Sequence, residues 1–165
     1  MTFEINDRIV YGVMGVCEIV DIAAPPIKGI EGKYYYLQPI YDSRGIIYSP
    51  VDSNRVPMRY IISKEECDKL IVRAQNCIKD APLNEPVTAA VYDDMIKSQK
   101  PLELLHLVRA LYNVKNERAK DLRKMKTMDS NMLTTAKKLL YGELAAVLDR
   151  DLKELSDEMD SYLSR

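Results

Sequence analysis

The architecture of this chain can be read first from residues 5–22, which run Ile5-Asn-Asp-Arg-Ile-Val-Tyr-Gly-Val-Met-Gly-Val-Cys-Glu-Ile-Val-Asp-Ile22. Two runs rich in Val and Ile flank a turn that contains Gly12 and Gly15. Glycine accepts the positive φ angles of tight turns, so the pattern predicts two strands joined by a short turn. The second run is apolar on both of its alternating faces. This favours a strand that is covered on both sides, as in a small barrel.

Strand signals continue to about residue 62, where Val, Ile and Tyr recur between Gly, Pro and Asp. The predicted strands are Arg8–Tyr11, Val16–Ala23, Lys33–Tyr41 and Ile46–Ser49. Because they are short and successive, an antiparallel meander is the simplest topology. The first part of the chain is therefore predicted to be a small antiparallel β-barrel.

Beyond residue 62 the apolar period changes from two to 3.6, which indicates amphipathic helices. Ser63-Lys-Glu-Glu66 has the form of a capping box, and Pro101 suits the first position of a helix. Five helices are predicted: from Ser63 to the stop at Asp80–Pro82, over Val87–Ser98, from Pro101, from an N-cap at Asp129, and from Asp151. The fold class is thus α+β, with a β domain over residues 1–62 and a helical domain over 63–165.

Composition excludes several classes of protein. The three cysteines, Cys17, Cys67 and Cys77, include no C-x-x-C pair, so we expect buried thiols and neither a disulfide framework nor a metal site. No stretch is apolar enough for a membrane span, and Met1–Arg8 has no apolar leader core. We expect a cytoplasmic protein with no cofactor and no small-molecule substrate.

Positive charge is concentrated in one region. Residues 97–138 hold 11 Lys and Arg against 4 Asp and Glu, whereas the whole chain holds 24 against 25. One interpretation is a solvated helix end whose cations complement the helix dipole. The other is phosphate contact, for which the candidates are Arg118, Lys120, Arg123, Lys124, Lys137 and Lys138. The last two are expected opposite the apolar face of their helix.

Catalytic patterns are weak. The lone histidine, His106, lies between leucines and favours a packing or surface role. The segment Gly12-Val-Met-Gly15 lacks the length and the Lys of a phosphate-binding loop, so a turn is the better interpretation. Several strand tyrosines are typical of a barrel core and rim, with an aromatic cage for a cation as the alternative. The sequence predicts that the protein is not an enzyme.

Several runs together resemble the CarD/CdnL family of bacterial transcription regulators. They are Asn6–Gly12 with Gly15–Ile19, Tyr35–Leu37, Pro50–Asp52, Val108–Leu111, Glu117–Arg118 and Ala136–Leu144. The resemblance implies an SH3-like, Tudor-like barrel that binds the β subunit of RNA polymerase, a module shared with the transcription-repair coupling factor. It also implies a helical domain that touches promoter DNA and an effect on open-complex stability.

The resemblance places the polymerase-facing strand at Ile46, Ile47, Tyr48 and Ser49, where strand addition could supply the contact. The family's tryptophan wedge against the minor groove would fall near Ala89, and this chain contains no Trp. DNA contact would then shift to the Lys115–Lys126 stretch. The alternative is a protein-interaction adaptor without DNA contact. In either case the chain is expected to be a monomer or a weak dimer.

Overall fold

The computed structural model describes residues 2–42, 44–76 and 88–165. The chain divides into two compact units, Met1–Ile61 and Ile62–Arg165. Within the described residues, the first unit is a five-stranded antiparallel sheet and the second contains five helices. The predicted α+β class is therefore confirmed. The predictions for Cys77, for the helix stop at Asp80–Pro82 and for the helix start at Val87 concern residues outside the described ranges.

The sheet contains β1 (Arg8–Tyr11), β2 (Gly15–Ala23), β3 (Tyr34–Pro39), β4 (Ile47–Pro50) and β5 (Met58–Tyr60). Its order is β4-β3-β2-β1-β5, so the first four strands form the predicted meander. The sequence prediction missed β5, which has three residues and follows Pro57. It exists because it pairs with β1, where Ile9 lies opposite Tyr60. The outer strands approach each other at one point, with Ser49 Oγ 4.0 Å from Met58 Sδ.

The turn between β1 and β2 is a single 3-10 turn, Gly12–Met14. Gly12 has φ +47°, and a Cβ at this position would lie 2.8 Å from Val56 Cγ1. A side chain would therefore meet both backbone strain and a steric clash. The turn sets the register of the hairpin, in which Arg8 lies opposite Glu18.

Burial of β2 on both faces holds only for its first half. The residues Val16, Cys17 and Ile19 are buried, but Val20 is exposed. The reason is a register shift between Ile19 and Asp21, where a bulge changes the alternation of side chains. The prediction that Val20 faces a covered side is wrong. The core of the sheet unit consists of Phe3, Ile9, Cys17, Ile19, Tyr35 and Leu37.

The helices are α1 (Lys64–Gln75), α2 (Ala89–Ser98), α3 (Pro101–Lys120), α4 (Thr127–Leu148) and α5 (Leu152–Leu163). The capping box at Ser63 is confirmed, since its hydroxyl accepts from the Glu66 N–H and the Glu66 carboxylate accepts from the Ser63 N–H. Pro101 is confirmed as the first residue of α3, and the fifth helix follows Asp151 directly, with Asp151 as its N-cap.

The predicted start of α4 is wrong. Asp129 lies within the first turn, and the helix begins at Thr127 after Lys126. The Ser130 N–H already donates to the Lys126 carbonyl at 2.9 Å, so helical hydrogen bonding starts earlier than the capping signal suggested. The Asp129 carboxylate still complements the positive end of the helix dipole.

The helical core is built mainly from α3 and α4, whose predicted apolar faces are buried. Its fully buried side chains include Leu105, Leu107, Leu111, Leu140, Leu144 and Leu155. Cys67 on α1 is also buried, and this burial raises the pKa of its thiol to about 11. Cys17 is also buried, so the predicted burial is confirmed for both of these free cysteines. Among the described residues, no helix is both long and apolar enough to cross a membrane.

Candidate functional site

The strongest concentration of exposed cations lies at the end of α3 and in the connection to α4. We call residues 115–126 the basic loop; its cations are Lys115, Arg118, Lys120, Arg123, Lys124 and Lys126. All of these side chains are exposed except that of Arg118, which is half-buried. Two acidic residues, Glu117 and Asp121, lie in the same stretch.

Main-chain hydrogen bonds hold the basic loop in a defined turn. The Leu122 N–H donates to the Ala119 carbonyl at 3.0 Å, and the Arg123 N–H donates to the Arg118 carbonyl at 2.9 Å. These two bonds form a Schellman motif, with Leu122 in the left-handed position at φ +56°. The cations that follow are therefore presented from an ordered backbone.

The charges of the basic loop are only partly neutralised within it. Lys120 Nζ lies 2.6 Å from Glu117 Oε1, and Arg123 lies 2.6 Å from Asp121. Both pairs are well exposed, so each contributes little and exchanges easily with another anion. Within the described part of the chain, the side chains of Lys124 and Lys126 form no hydrogen bond or ion pair.

Lys137 differs from the sequence expectation. It does not lie opposite the apolar face of α4, because its ammonium contacts Tyr112 and Tyr141, which are both buried. Its Nζ lies 2.6 Å from Asp160 Oδ2 on α5 and 3.0 Å from the Tyr112 hydroxyl oxygen. The sequence could not show this arrangement, because Asp160 lies 23 residues further along the chain.

The surroundings of Lys137 form one hydrogen-bond network. The Tyr112 and Tyr141 hydroxyls both donate to Asp160 Oδ1, at 2.7 and 2.8 Å. Burial opposes the charge of Lys137, but the hydrogen bonds with Asp160 and Tyr112 outweigh it and raise the pKa of the ammonium. Burial also raises the pKa of the Tyr141 hydroxyl, and the Asp160 carboxylate raises it further. Lys137 is thus half-buried, and its ammonium is held by Asp160 and Tyr112.

The structure brings four of the six candidate DNA-contacting cations together in the basic loop: Arg118, Lys120, Arg123 and Lys124. Lys138 is exposed, but it lies about 16 Å along α4 from the first residue of that helix. Lys115 and Lys126 belong to the same basic loop, although they were absent from the candidate set.

The candidate polymerase-binding residues lie on and beside β4, an outer strand of the sheet. Tyr48 is exposed, and its ring meets that of Tyr36 edge-on at 4.8 Å. Ile46 and Ile47 are half-buried, whereas Ser49 is buried and its side chain is directed away from solvent. On this strand Tyr48 presents an exposed side chain, whereas the side chain of Ser49 is buried.

The sequence analysis did not single out Leu122 as an exposed residue. It is 97% exposed at the tip of the basic loop. The available signal was a single leucine between Asp121 and Arg123, in the most highly charged part of the chain.

His106, for which the sequence predicted a packing or surface role, is half-buried on α3. No group of three or more His, Cys, Asp or Glu side chains that could hold a metal occurs among residues 2–42, 44–76 and 88–165.

Comparison with protein families identifies both units. Residues 3–62 match the family model described as the CarD-like/TRCF RID domain. Residues 80–160 match the model described as the CarD C-terminal domain. The two matches together span most of the 165 residues, in the same order as the sheet and helical units. No curated protein matches the chain.

Proposed function

The chain belongs to the CarD-like family of RNA polymerase-interacting transcription proteins, as its sequence predicted, and from this premise we propose that it is a non-enzymatic regulator that holds two macromolecules at once. The sheet unit binds the β subunit of RNA polymerase. The basic loop contacts the phosphate backbone of promoter DNA and thereby changes the lifetime of the open complex. This role belongs in the bacterial cytoplasm.

On the polymerase side, β4 supports the proposal. One edge of β4 pairs with β3, where Tyr36 lies opposite Tyr48. No other strand is paired with its second edge in the described sheet, because β4 is an outer strand. An outer strand offers main-chain donors and acceptors to an added strand of a partner. Exposed Tyr48 adds an amphipathic ring beside that edge, a residue type that is enriched at interfaces.

On the DNA side, the proposal depends on one observation, the ordered and mostly exposed cluster of cations in the basic loop. Phosphate contacts of this kind position a protein on DNA without reading its sequence. Such contacts are weak when isolated, but a second binding site on the polymerase supplies an effective concentration that can reach millimolar. A small basic loop is therefore sufficient when the sheet unit is bound.

The DNA half can be tested by charge reversal. If Lys120, Arg123, Lys124 and Lys126 each meet a phosphate, log affinity for duplex DNA should fall with log salt at a slope near about −3.6, from roughly −0.9 per contact. The triple variant Lys120→Glu, Arg123→Glu, Lys124→Glu should abolish most of this slope and remove the effect on open-complex lifetime.

A matched control is Lys64→Glu, Lys69→Glu, Lys153→Glu, which changes net charge equally at exposed positions outside the basic loop. This variant should retain the salt slope and the effect on lifetime. If both triple variants behave alike, net charge rather than the basic loop governs binding, and the DNA half of the proposal is wrong. Co-purification of the β subunit with the full chain tests the polymerase half separately.

The adaptor is the second candidate, and two observations favour it. The chain has no Trp to act as the family's wedge, and two of the loop cations already have acidic partners. An adaptor would bind polymerase with no salt-dependent duplex binding. Polymerase capture combined with a flat salt dependence would establish that reading.

A further inference from the structure

We propose that Leu122 is an apolar wedge that enters an opened base step of duplex DNA, with the cations of the basic loop on the flanking phosphates. This inference rests on the proposed DNA contact of the basic loop and adds a contact with the bases.

The first observation is exposure. Leu122 is 97% exposed, against 54% for Val72 and 50% for Met128, the next most exposed large apolar side chains of the helical unit among the described residues. Isolated surface leucines are ordinary in folded proteins, so exposure alone does not mark a binding residue. Leu122 protrudes from a turn with almost its whole surface in solvent.

The second observation is the backbone conformation. Leu122 occupies the left-handed position of the Schellman motif, where φ is +56°. Glycine is the usual residue at this position because it has no Cβ to clash with the neighbouring carbonyl. Leucine gains no packing here that would offset the strain. Folding alone therefore does not explain why a leucine occupies the position.

The third observation is helical phase. Leu122 follows the buried residue Leu111 by eleven positions, which is close to three full turns. One further turn of α3 would place it near the direction of the buried face. The helix instead ends at Lys120, and the turn redirects Leu122 into solvent. The break in the helix is what exposes the side chain.

The fourth observation is the chemistry of the surroundings. Lys120 and Arg123 lie on either side of Asp121 and Leu122, each in an exposed ion pair with an acidic residue of the loop, and Lys124 follows with no ion-pair partner among the described residues. Proteins that bend or open duplex DNA combine such cations with a small apolar wedge, and leucine is one of the residues used. Pyrimidine–purine steps such as TpA unstack most easily, so they should be preferred. Membrane surfaces instead favour an extended apolar helix face, which one leucine does not provide.

The experiment uses the full chain at low salt and a short duplex with a central TpA step, in which the adenine is replaced by fluorescent 2-aminopurine. Affinity is followed by anisotropy, and unstacking by the rise in 2-aminopurine emission. Three variants are compared with the parent: Leu122→Gly, which suits the left-handed backbone, Leu122→Met, which keeps an apolar side chain of similar reach, and Val72→Ala as a distant control.

The parent, Leu122→Met and Val72→Ala should all raise the emission. Leu122→Gly should bind about tenfold more weakly, the loss expected for one partly buried leucine, and should leave the emission unchanged. Its thermal midpoint should equal or exceed that of the parent, because glycine relieves the strain at this position. A loss of binding without a loss of stability separates the wedge from a folding role.

Each contrary outcome overturns a distinct claim. If the parent binds with the expected salt slope but does not change the emission, or if Leu122→Gly matches the parent, the wedge is wrong and the phosphate contact stands. If the parent does not bind the duplex at low salt, both the wedge and the proposed DNA contact fail. Leu122-dependent binding to phosphatidylserine vesicles without duplex binding would assign the loop to a membrane surface instead.

Discussion

Arg118 Nε donates a 2.7 Å hydrogen bond to the main-chain oxygen of Lys124, across the turn that ends α3. The Arg118 carbonyl also accepts a hydrogen bond from the Arg123 N–H. One residue thus braces the basic loop through both its side chain and its main chain, and the position of the loop depends on it.

We expect Arg118→Lys to loosen the loop without changing its charge. A lysine cannot reproduce the guanidinium Nε donor, so the free energy of unfolding should fall by about 0.5–1.5 kcal/mol. Hydrogen exchange at the Leu122 and Arg123 amides should become faster, while the salt slope for duplex DNA stays close to that of the parent. Arg123→Lys, which changes only an exposed pair, is the control. Equal amide protection in both variants would contradict the bracing role.

On the sheet unit, we expect Tyr48→Ala to weaken capture of the polymerase β subunit, since an exposed ring beside the outer edge of β4 is lost. Tyr60→Ala is the matched control, because Tyr60 is also exposed but lies on β5, the opposite outer strand. Ser49→Ala should leave capture unchanged, because that side chain is buried. Quantitative pull-down with the full chain measures all three, and equal losses for Tyr48→Ala and Tyr60→Ala would argue against β4 as the interface.

The network around Asp160 predicts a stability change at high pH. The pKa of Lys137 is raised in the folded protein, so the protonated form is favoured by folding. Its contribution should be fully present below the unfolded value of about 10.5 and should be lost as pH rises through the folded pKa. Urea unfolding from pH 7 to 11 should therefore give a higher free energy of unfolding for the parent than for Lys137→Met. This difference in free energy should become smaller only above about pH 10.5.

The neighbouring exposed lysine provides the control for this titration. Lys138→Met removes an exposed side chain from the same helix and should change the free energy of unfolding little at pH 7. If Lys137→Met also changes the free energy of unfolding little, the network does not stabilise the helical unit.

Glu143 is 1% exposed, and its Oε1 accepts the Ile62 N–H at 3.0 Å. Glu143→Ala should lower the free energy of unfolding by about 1–3 kcal/mol, because it leaves a main-chain donor without this acceptor. Glu143→Gln, which keeps one carbonyl oxygen, should lose less. Glu154→Ala removes an exposed carboxylate from α5 and should change stability little. If denaturant titration gives equal free energies of unfolding for Glu143→Ala and Glu154→Ala, the bond between Glu143 and Ile62 does not stabilise the helical unit.

Features encoded by neighbouring residues were predictable from the sequence. The capping box at Ser63, the helix start at Pro101 and the hairpin around Gly12 each depend on residues only a few positions apart. The strand β5 depends instead on pairing with β1 some fifty residues earlier, and its three residues are too few to form a clear strand pattern of their own. The bulge after Ile19 likewise arises from pairing with β3 and not from composition.

The same distinction applies to the candidate site. Charge density alone located the basic loop, because four of the six candidate cations are close in sequence. It could not show that Lys137 is held by Asp160, since that contact requires α4 and α5 to pack together. It also could not show Leu122 in solvent, because the helix ends without the glycine that usually marks such a turn.

The bond between Ile62 and Glu143 spans 81 residues, whereas the last ladder of the sheet is complete at Tyr60. At about 5–20 residues per second, the ribosome adds those 81 residues over roughly 4 to 16 s. A nascent chain can therefore form every strand pair of the sheet before Glu143, the hydrogen-bond acceptor of Ile62, has been synthesised. The order of translation thus allows the amino-terminal unit to fold before the helical unit.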